Sequence, residues 1–211
     1  MTWWLRVHRT TPLVGLTVAL ATIAICIGPI GMLFPSFGGA PLAMIPVAAV
    51  VPLVIAIATS ASVSRAPFPD PARRTDLLEL GTVLMTIALV SSIGAAGVAL
   101  GADAAVSIAT IRNTIAFSAL ALVSRAVLGD RYQSVPGVLY LFVAALFGRG
   151  SPGNPAAWAG VVTTSTDPSY WGFVVPIVGA AIAVMLRRTT RRVVAWGNQK
   201  PSPDAPGVGP H

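Results

Sequence analysis

The residue types that carry out bond chemistry are nearly absent from this sequence. Histidine occurs only as His8 and His211, and the single cysteine is Cys26. A serine protease needs a base beside its serine, a zinc site needs clustered ligands, and a redox Cys-x-x-Cys pair needs a second cysteine. No Gly-rich segment ends in Gly-Lys-Ser/Thr to bind ATP phosphates. The sequence therefore predicts a protein that is not an enzyme, holds no metal or cofactor, and leaves any ATP hydrolysis to a partner subunit.

Acidic side chains are the next candidates, because proton-coupled carriers hold a carboxylate near the middle of the membrane. Glu79 comes nearest to such a position, since it lies about one turn into an apolar run. We expect it to pair with Arg73 or Arg74 at the membrane surface, where charged groups are less costly. The other acids are expected outside the apolar interior: Asp70, Asp76, Asp103, Asp130, Asp167 and Asp204.

Arg112 and Asn113 are the candidate residues of a substrate path, because they lie at the head of an apolar run. If that run begins at Ala104, Arg112 is a buried cation that faces a cavity or another helix. If it begins at Ile111, the arginine side chain reaches back to the outer membrane surface. We expect the second arrangement, which costs less free energy.

The elements that position these residues are predicted to be membrane helices. Of the 211 residues, 55% are apolar and 10% are charged, and the mean hydropathy is +0.77. This leaves too little polar surface for a soluble globule. The charges flank long apolar runs, so the net charge of +7 indicates membrane topology and not a nucleic-acid partner. The predicted class is an all-α integral membrane protein.

Six apolar runs are candidate spans. A run of 22 residues suffices to cross the roughly 30 Å hydrocarbon core of a bilayer at about 1.5 Å per residue. The fifth run is short, at about 20 Å, and the second contains Pro46 and Pro52, which should bend a helix. The six runs are residues 13–34, 42–61, 77–100, 111–128, 135–147 and 171–186.

The basic residues predict the orientation. Only Arg112 and Arg149 fall on one side of the six runs, and the remaining Lys and Arg residues fall on the other. Cytoplasmic loops carry the excess of basic residues, so both termini are expected in the cytoplasm. The expected location of the protein is the inner cell membrane. The predicted organisation is an interfacial segment 1–12, a six-helix domain 13–186, and a tail 187–211 that is first basic and then Pro/Gly-rich and disordered.

Two connections carry features of their own. The inner one, residues 62–79, places Asp70 as a helix N-cap before Pro71. It is either a solvated loop or a helix that docks a cytoplasmic partner, with Asp70, Arg73, Arg74, Asp76 and Glu79 as the docking residues. The outer one, residues 149–169, has an apolar centre around Trp158. It is either a re-entrant or interface-lying element, or a loop anchored by that tryptophan.

This layout resembles the small permease subunits of type-2 ABC exporters. The segment from Trp3 to Arg9 matches the interfacial segment of that family, residues 70–79 its coupling helix, and residues 151–167 its re-entrant element. Shorter stretches are similar to permease-like proteins that pair with an ABC ATPase. They are Arg112-Asn113, Ser124 to Asp130, Pro136 to Tyr140 and Tyr170-Trp171. The resemblance covers residues 1 to about 192, and its motifs are topological.

The resemblance implies a translocation path formed by two copies, or by this chain and a second permease, within the lipid bilayer. ABC ATPase subunits would dock on the inner connection, and Trp158 and Trp171 would belong to an outer gate. Two other interpretations remain open. One is the solute-binding membrane subunit of a vitamin importer, which a cavity would favour. The other is a non-transporting accessory or immunity protein that only binds partners.

Overall fold

The computed structural model describes residues 10–37, 42–63, 75–149 and 155–197. In these ranges the chain forms six α-helices and one β-hairpin. The elements are α1 (Thr10–Ile27), β1 (Gly31–Pro35), β2 (Leu42–Pro46), α2 (Val47–Val63), α3 (Thr75–Ala99), α4 (Ala104–Leu128), α5 (Val135–Phe147) and α6 (Val174–Gly197). Three short 3-10 helices lie at Asp130–Tyr132, Ala157–Val162 and Pro168–Trp171.

The predicted helical fold is confirmed, but the prediction of six clear spans is not. By length and composition, three helices in the described ranges can cross a membrane: Leu78–Ala99, Ala104–Leu128 and Pro168–Arg187. This is the pattern of a multi-pass membrane protein. Helices α1 and α2 are apolar but shorter, at 18 and 17 residues, and α5 has 13 residues.

A β-hairpin replaces the ends of the first two predicted spans. The runs 13–34 and 42–61 were expected to be helical throughout, whereas α1 ends at Ile27 and α2 begins at Val47. Pro29 follows the end of α1 and Pro46 directly precedes α2, and proline lacks the backbone donor that a helix interior normally uses, although α2 accommodates Pro52 in its interior. The two antiparallel strands between them pair Gly31 with Pro46 and Pro35 with Leu42. An all-α fold was therefore wrong at this point.

Helix α4 lies at the centre of the bundle and packs against α1, α2, α3, α5 and α6. Its first turn is capped by Asp103, whose carboxylate accepts a hydrogen bond from the Ala105 N–H at 2.8 Å. It ends before Gly129, which has a φ of 84°, a conformation that glycine adopts without strain. The main apolar core forms between α4, α2, α5 and the segment before α6, around Phe117, Leu53 and Phe173.

Candidate functional site

Arg112 is fully buried, with 0% of its surface exposed. The expectation that it reaches the outer membrane surface is wrong, because α4 begins at Ala104 and not at Ile111. Eight residues of helix place Arg112 about 12 Å from the first residue of α4. The sequence carried a signal for this start in Asp103, since aspartate is a preferred N-cap residue.

The guanidinium of Arg112 is surrounded by backbone carbonyls from one segment. Its Nη1 donates to the Ser165 carbonyl at 3.2 Å, and its Nη2 donates to the carbonyls of Thr163, at 2.6 Å, and Gly160. Its Nε lies 3.4 Å from the side-chain oxygen of Asn113. Within the described ranges, no carboxylate lies within ion-pair distance of it. The charge is therefore stabilised by carbonyl dipoles, which accept stronger hydrogen bonds from a cation than from a neutral donor.

Asn113 extends the same contact to a second helix. Its side chain is also 0% exposed, and its Nδ2 donates to the Val161 carbonyl at 2.9 Å and to the Ala48 carbonyl at 3.4 Å. Ala48 lies in the first turn of α2. We call Arg112 and Asn113 together the α4 clamp, because they join α4 and α2 to residues 160–165.

The clamp holds the connection between α5 and α6, which was expected at residues 149–169. The name outer connection is used from here on for its described part and the residues that lead into α6, 155–173. The outer connection folds back onto the bundle, so that Ala159 to Val162 are buried. Two tyrosines hold it from the sides: the Tyr140 hydroxyl donates to the Trp158 carbonyl at 2.5 Å, and the Tyr170 hydroxyl to the Pro155 carbonyl at 3.2 Å. Its contacts therefore include more than Trp158, and a re-entrant or interface-lying position of this segment in the membrane stays a prediction.

Glycine is required where the outer connection packs most closely. A Cβ atom on Gly160 would lie 2.8 Å from the Phe173 ring and 2.8 Å from the Tyr170 carbonyl oxygen. Such distances are closer than packed carbon atoms approach one another. A side chain at this position would therefore force the backbone that binds Arg112 away from Phe173 and Tyr170.

Trp158 and Trp171, the expected outer-gate residues, lie at the two ends of the outer connection. Trp158 is 43% exposed, whereas Trp171 packs against the main core. Asp167 caps the 3-10 helix that ends at Trp171 by accepting a hydrogen bond from the Ser169 N–H at 2.8 Å. That bond holds the pKa of the exposed Asp167 carboxyl below its usual value. A gating role for the tryptophans stays a prediction.

The expected docking residues of the inner connection are only partly described. Asp70, Arg73 and Arg74 lie outside the described residues, and Asp76 lies in the first turn of α3. The expected pairing of Glu79 with Arg73 or Arg74 involves these undescribed residues and stays a prediction. Among the described residues, the Glu79 carboxylate lies 2.7 Å from Nη1 of Arg125. A docking role for this region stays a prediction.

Arg125 is the residue that the sequence interpretation missed. Its side chain is 14% exposed and joins Glu79 on α3 to Asp130 after α4. The signal was present in the sequence, since an arginine in the last turn of an apolar run is followed by Gly129 and an aspartate. We call Glu79, Arg125 and Asp130 the inner ion cluster.

Comparison of the chain with protein families, curated proteins and solved structures gives no match. Its function is therefore inferred from its own residues. In the described part of the chain, no group of three or more His, Cys, Asp or Glu side chains is placed to hold a metal ion. The prominent polar features are instead the α4 clamp and the inner ion cluster. Both are built on α4, with Arg112 and Arg125 about 20 Å apart along the helix.

Proposed function

We propose that this chain is the membrane-spanning permease subunit of an ATP-driven exporter, located in the inner cell membrane, and that it docks a separate ATPase subunit. The observation that carries the proposal is the outer connection, which turns back into the bundle and is held there by Arg112 and Asn113. Irregular backbone at membrane depth is tolerated where protein groups satisfy its carbonyls. The α4 clamp supplies those donors.

The proposal includes six crossings of the bilayer. Helix α1, with 18 residues, is about 27 Å long, close to the thickness of the hydrocarbon core. Helix α5 is too short by itself, but the outer connection packs beside it through Tyr140 and Trp158. If the packed irregular segments extend the short helices across the membrane, the chain crosses the bilayer six times, which is an even number. Both termini would then lie in the cytoplasm, as the distribution of arginine residues predicts.

The contacts along α4 support a transport mechanism. A movement of α3, which follows the inner connection, would reach α4 through the Glu79–Arg125 ion pair. Helix α4 would carry it to the outer connection through Arg112. Docking of an ATPase at the inner connection would thereby be coupled to an outer gate. The path itself would form with a second copy or with a second permease.

The importer interpretation gains no support from the cavity between α2, α4 and α5. That cavity, lined by Leu53, Phe117 and Gly137, has a volume of about 10 Å³, which is room for about one water molecule. An accessory protein that only binds partners is the second candidate. It is favoured by one observation: backbone carbonyls occupy the donors of Arg112, so the arginine does not face an open cavity.

Purification of the chain from its native membrane in a mild detergent tests the proposal. We expect an ATPase with a phosphate-binding Gly-Lys-Ser/Thr loop to co-purify, and its ATP hydrolysis to change when the chain is present. Changing both Arg73 and Arg74 to Glu should abolish co-purification, because it reverses two charges of the expected docking region. Changing Arg191 and Arg192 to Glu is the matched control and should leave it intact.

An ATPase that is reproducibly missing under conditions that preserve such complexes would contradict the exporter. Recovery of a partner without ATPase activity, together with a chain that moves no solute in vesicles, would favour the accessory protein. If the Arg73/Arg74 and the Arg191/Arg192 double variants lose the ATPase equally, the inner connection is not the docking region.

A further inference from the structure

We propose that the outer end of the bundle carries a binding site for a phosphate group, built around Arg149. A cleft of about 210 Å³ lies between the β-hairpin and the outer connection. Its lining includes Arg149, Thr163 and Thr164, together with Gly31 and Met44 of the hairpin. This volume is below the range of drug-sized ligand pockets, about 300–1,000 Å³, and suits a single small headgroup.

Arg149 supplies the charge. In the described part of the chain it has one hydrogen bond, from Nη2 to the Met44 carbonyl, and no carboxylate pairs with it. That bond fixes one arm of the guanidinium against the hairpin and uses one of the two Nη2 protons, so the other Nη2 proton remains beside the proton of Nε or of Nη1. Arginine binds phosphate oxygens through two parallel N–H donors. A partly buried guanidinium with a free pair of donors is therefore suited to an oxyanion.

The two threonines supply neutral donors on the other wall of the cleft. The Thr163 hydroxyl accepts a hydrogen bond from the Ser165 N–H at 3.1 Å, which leaves its own proton free to donate. The described contacts give the half-buried Thr164 hydroxyl no protein partner. Hydroxyl groups beside an arginine add hydrogen bonds to an anion without adding charge. Because Arg112 holds the Thr163 carbonyl, this wall is fixed in place.

Arg149 is also distinguished by its location. On the predicted outer side, the arginine that accompanies it is Arg112, and Arg112 is fully buried. The cleft lies beside Pro29 and Pro46, where α1 ends and α2 begins. The ends of membrane helices lie at the depth of lipid headgroups. The ligand is thus a phosphodiester of a lipid or a free phosphate ion, and both offer the same oxygens.

The test uses the purified full chain in a mild non-ionic detergent and follows bound lipid by native mass spectrometry. The probe is phosphatidylglycerol, and a diacylglycerol without phosphate is the control lipid. We expect Arg149→Gln to weaken phosphatidylglycerol binding about tenfold, as the loss of a charge-assisted pair of bonds predicts. Arg187→Gln removes the same charge from an exposed site and should leave binding unchanged.

Thr164→Val separates ligand binding from folding, because it leaves the bond between Arg149 and Met44 intact. It should weaken binding by a few-fold, in line with one neutral hydrogen bond, without changing the melting temperature of the ligand-free protein. A second arm adds inorganic phosphate and measures the ligand-induced rise in melting temperature. A rise with phosphate alone assigns the site to the free ion, and a rise with phosphatidylglycerol alone assigns it to the lipid.

The proposal is overturned if neither probe raises the melting temperature of the wild type. It is equally overturned if Arg149→Gln and Arg187→Gln bind phosphatidylglycerol alike, because general attraction to a basic protein would then explain the binding. Binding of the phosphate-free diacylglycerol at the same level would show that the acyl chains, and not the phosphate, are recognised.

Discussion

A guanidinium that leaves water without a carboxylate partner must recover its hydration energy from hydrogen bonds. Arg112 does so with three carbonyl oxygens of the outer connection and the side-chain oxygen of Asn113. The carbonyls have the converse need, because buried backbone acceptors outside regular structure require donors. Each side of the contact therefore depends on the other, which explains a charged residue at the centre of an apolar bundle.

Replacement of Arg112 tests this mutual dependence. Arg112→Gln should lower the free energy of unfolding by about 3 kcal/mol, because it leaves buried carbonyls without donors. The stability of Arg112→Lys should lie between those of the wild type and Arg112→Gln, since an ammonium group cannot span three carbonyls in the plane that a guanidinium does. The free energies of unfolding of both variants are measured by adding increasing amounts of dodecyl sulfate to the protein in mild detergent.

The control for Arg112 is Arg187→Gln, which removes an exposed guanidinium and should change stability by less than about 0.5 kcal/mol. Equal stability of the Arg112 and Arg187 variants would show that the outer connection does not need its clamp. Limited proteolysis within the outer connection should increase only in the Arg112 variants.

Gly160 provides a second test at the same place. Gly160→Ala would put a Cβ atom 2.8 Å from the Phe173 ring, and overpacking of this kind costs about 1–3 kcal/mol. Gly179→Ala on α6 is the matched control, because nothing lies within 4 Å of its Cβ position. Alanine is a better helix former than glycine, so Gly179→Ala should raise the melting temperature slightly while Gly160→Ala lowers it. A rise in both would contradict the close packing.

At the scale of elements, the sequence predicted the helical class but placed several boundaries wrongly. Counting apolar residues began the fourth run at Ile111, whereas the Asp103 cap starts α4 at Ala104, seven residues earlier. Apolarity also could not separate helix from strand in residues 31–46, where hairpin residues such as Met32 and Leu33 are as apolar as those of a membrane helix. Pro29 before β1 and Pro46 at the end of β2 were the better signal.

The partners of polar residues were the least predictable part of the site. Sequence proximity suggested Arg73 or Arg74 as the partner of Glu79, which stays a prediction, but it did not suggest Arg125, which lies 46 positions along the chain. The carbonyls that bind Arg112 lie about 50 positions away. Such contacts depend on how helices pack, which a local pattern of residue types does not encode. The presence of a buried cation was predictable as an alternative, but its ligands were not.

The ion pair between α3 and α4 makes a prediction for these two elements. Glu79→Gln and Arg125→Gln should each destabilise the protein. The double variant should lose less than the sum of the two, because each single change already removes the shared interaction between Glu79 and Arg125. We expect a coupling energy of about 1 kcal/mol, above the median for exposed pairs, because both side chains are largely shielded. The coupling energy is measured by denaturing the wild type, the two single variants and the double variant and comparing their free energies of unfolding.

The pair of Arg125 with Asp130 serves as the comparison, because Asp130 is 57% exposed. Solvent screens such a pair more strongly, so its coupling energy should be smaller. A larger coupling to Asp130 than to Glu79 would show that Arg125 stabilises the end of α4 and not the contact between α3 and α4.

At the scale of the whole molecule, composition predicted a membrane protein, but the number of spans does not follow from run length alone. Helix α5 has 13 residues, and the chain beyond it returns to the bundle at Ala157–Val162. Whether such an element counts as a crossing depends on tertiary contacts, among them the bond between Tyr140 and the Trp158 carbonyl. The side on which each connection lies is therefore the decisive measurement.

Cysteine labelling in intact cells makes that measurement for the last helix. With Cys26→Ser as background, Thr166→Cys should react with a membrane-impermeant maleimide from outside, whereas Arg187→Cys should react only after the membrane is opened. Both positions are exposed, and they lie on either side of an apolar helix long enough to span the membrane. Tags fused to residues 1 and 211 should both report the cytoplasm, because basic residues flank both ends. Tags on opposite sides of the membrane would mean an odd number of crossings and would contradict the proposal of a six-span permease.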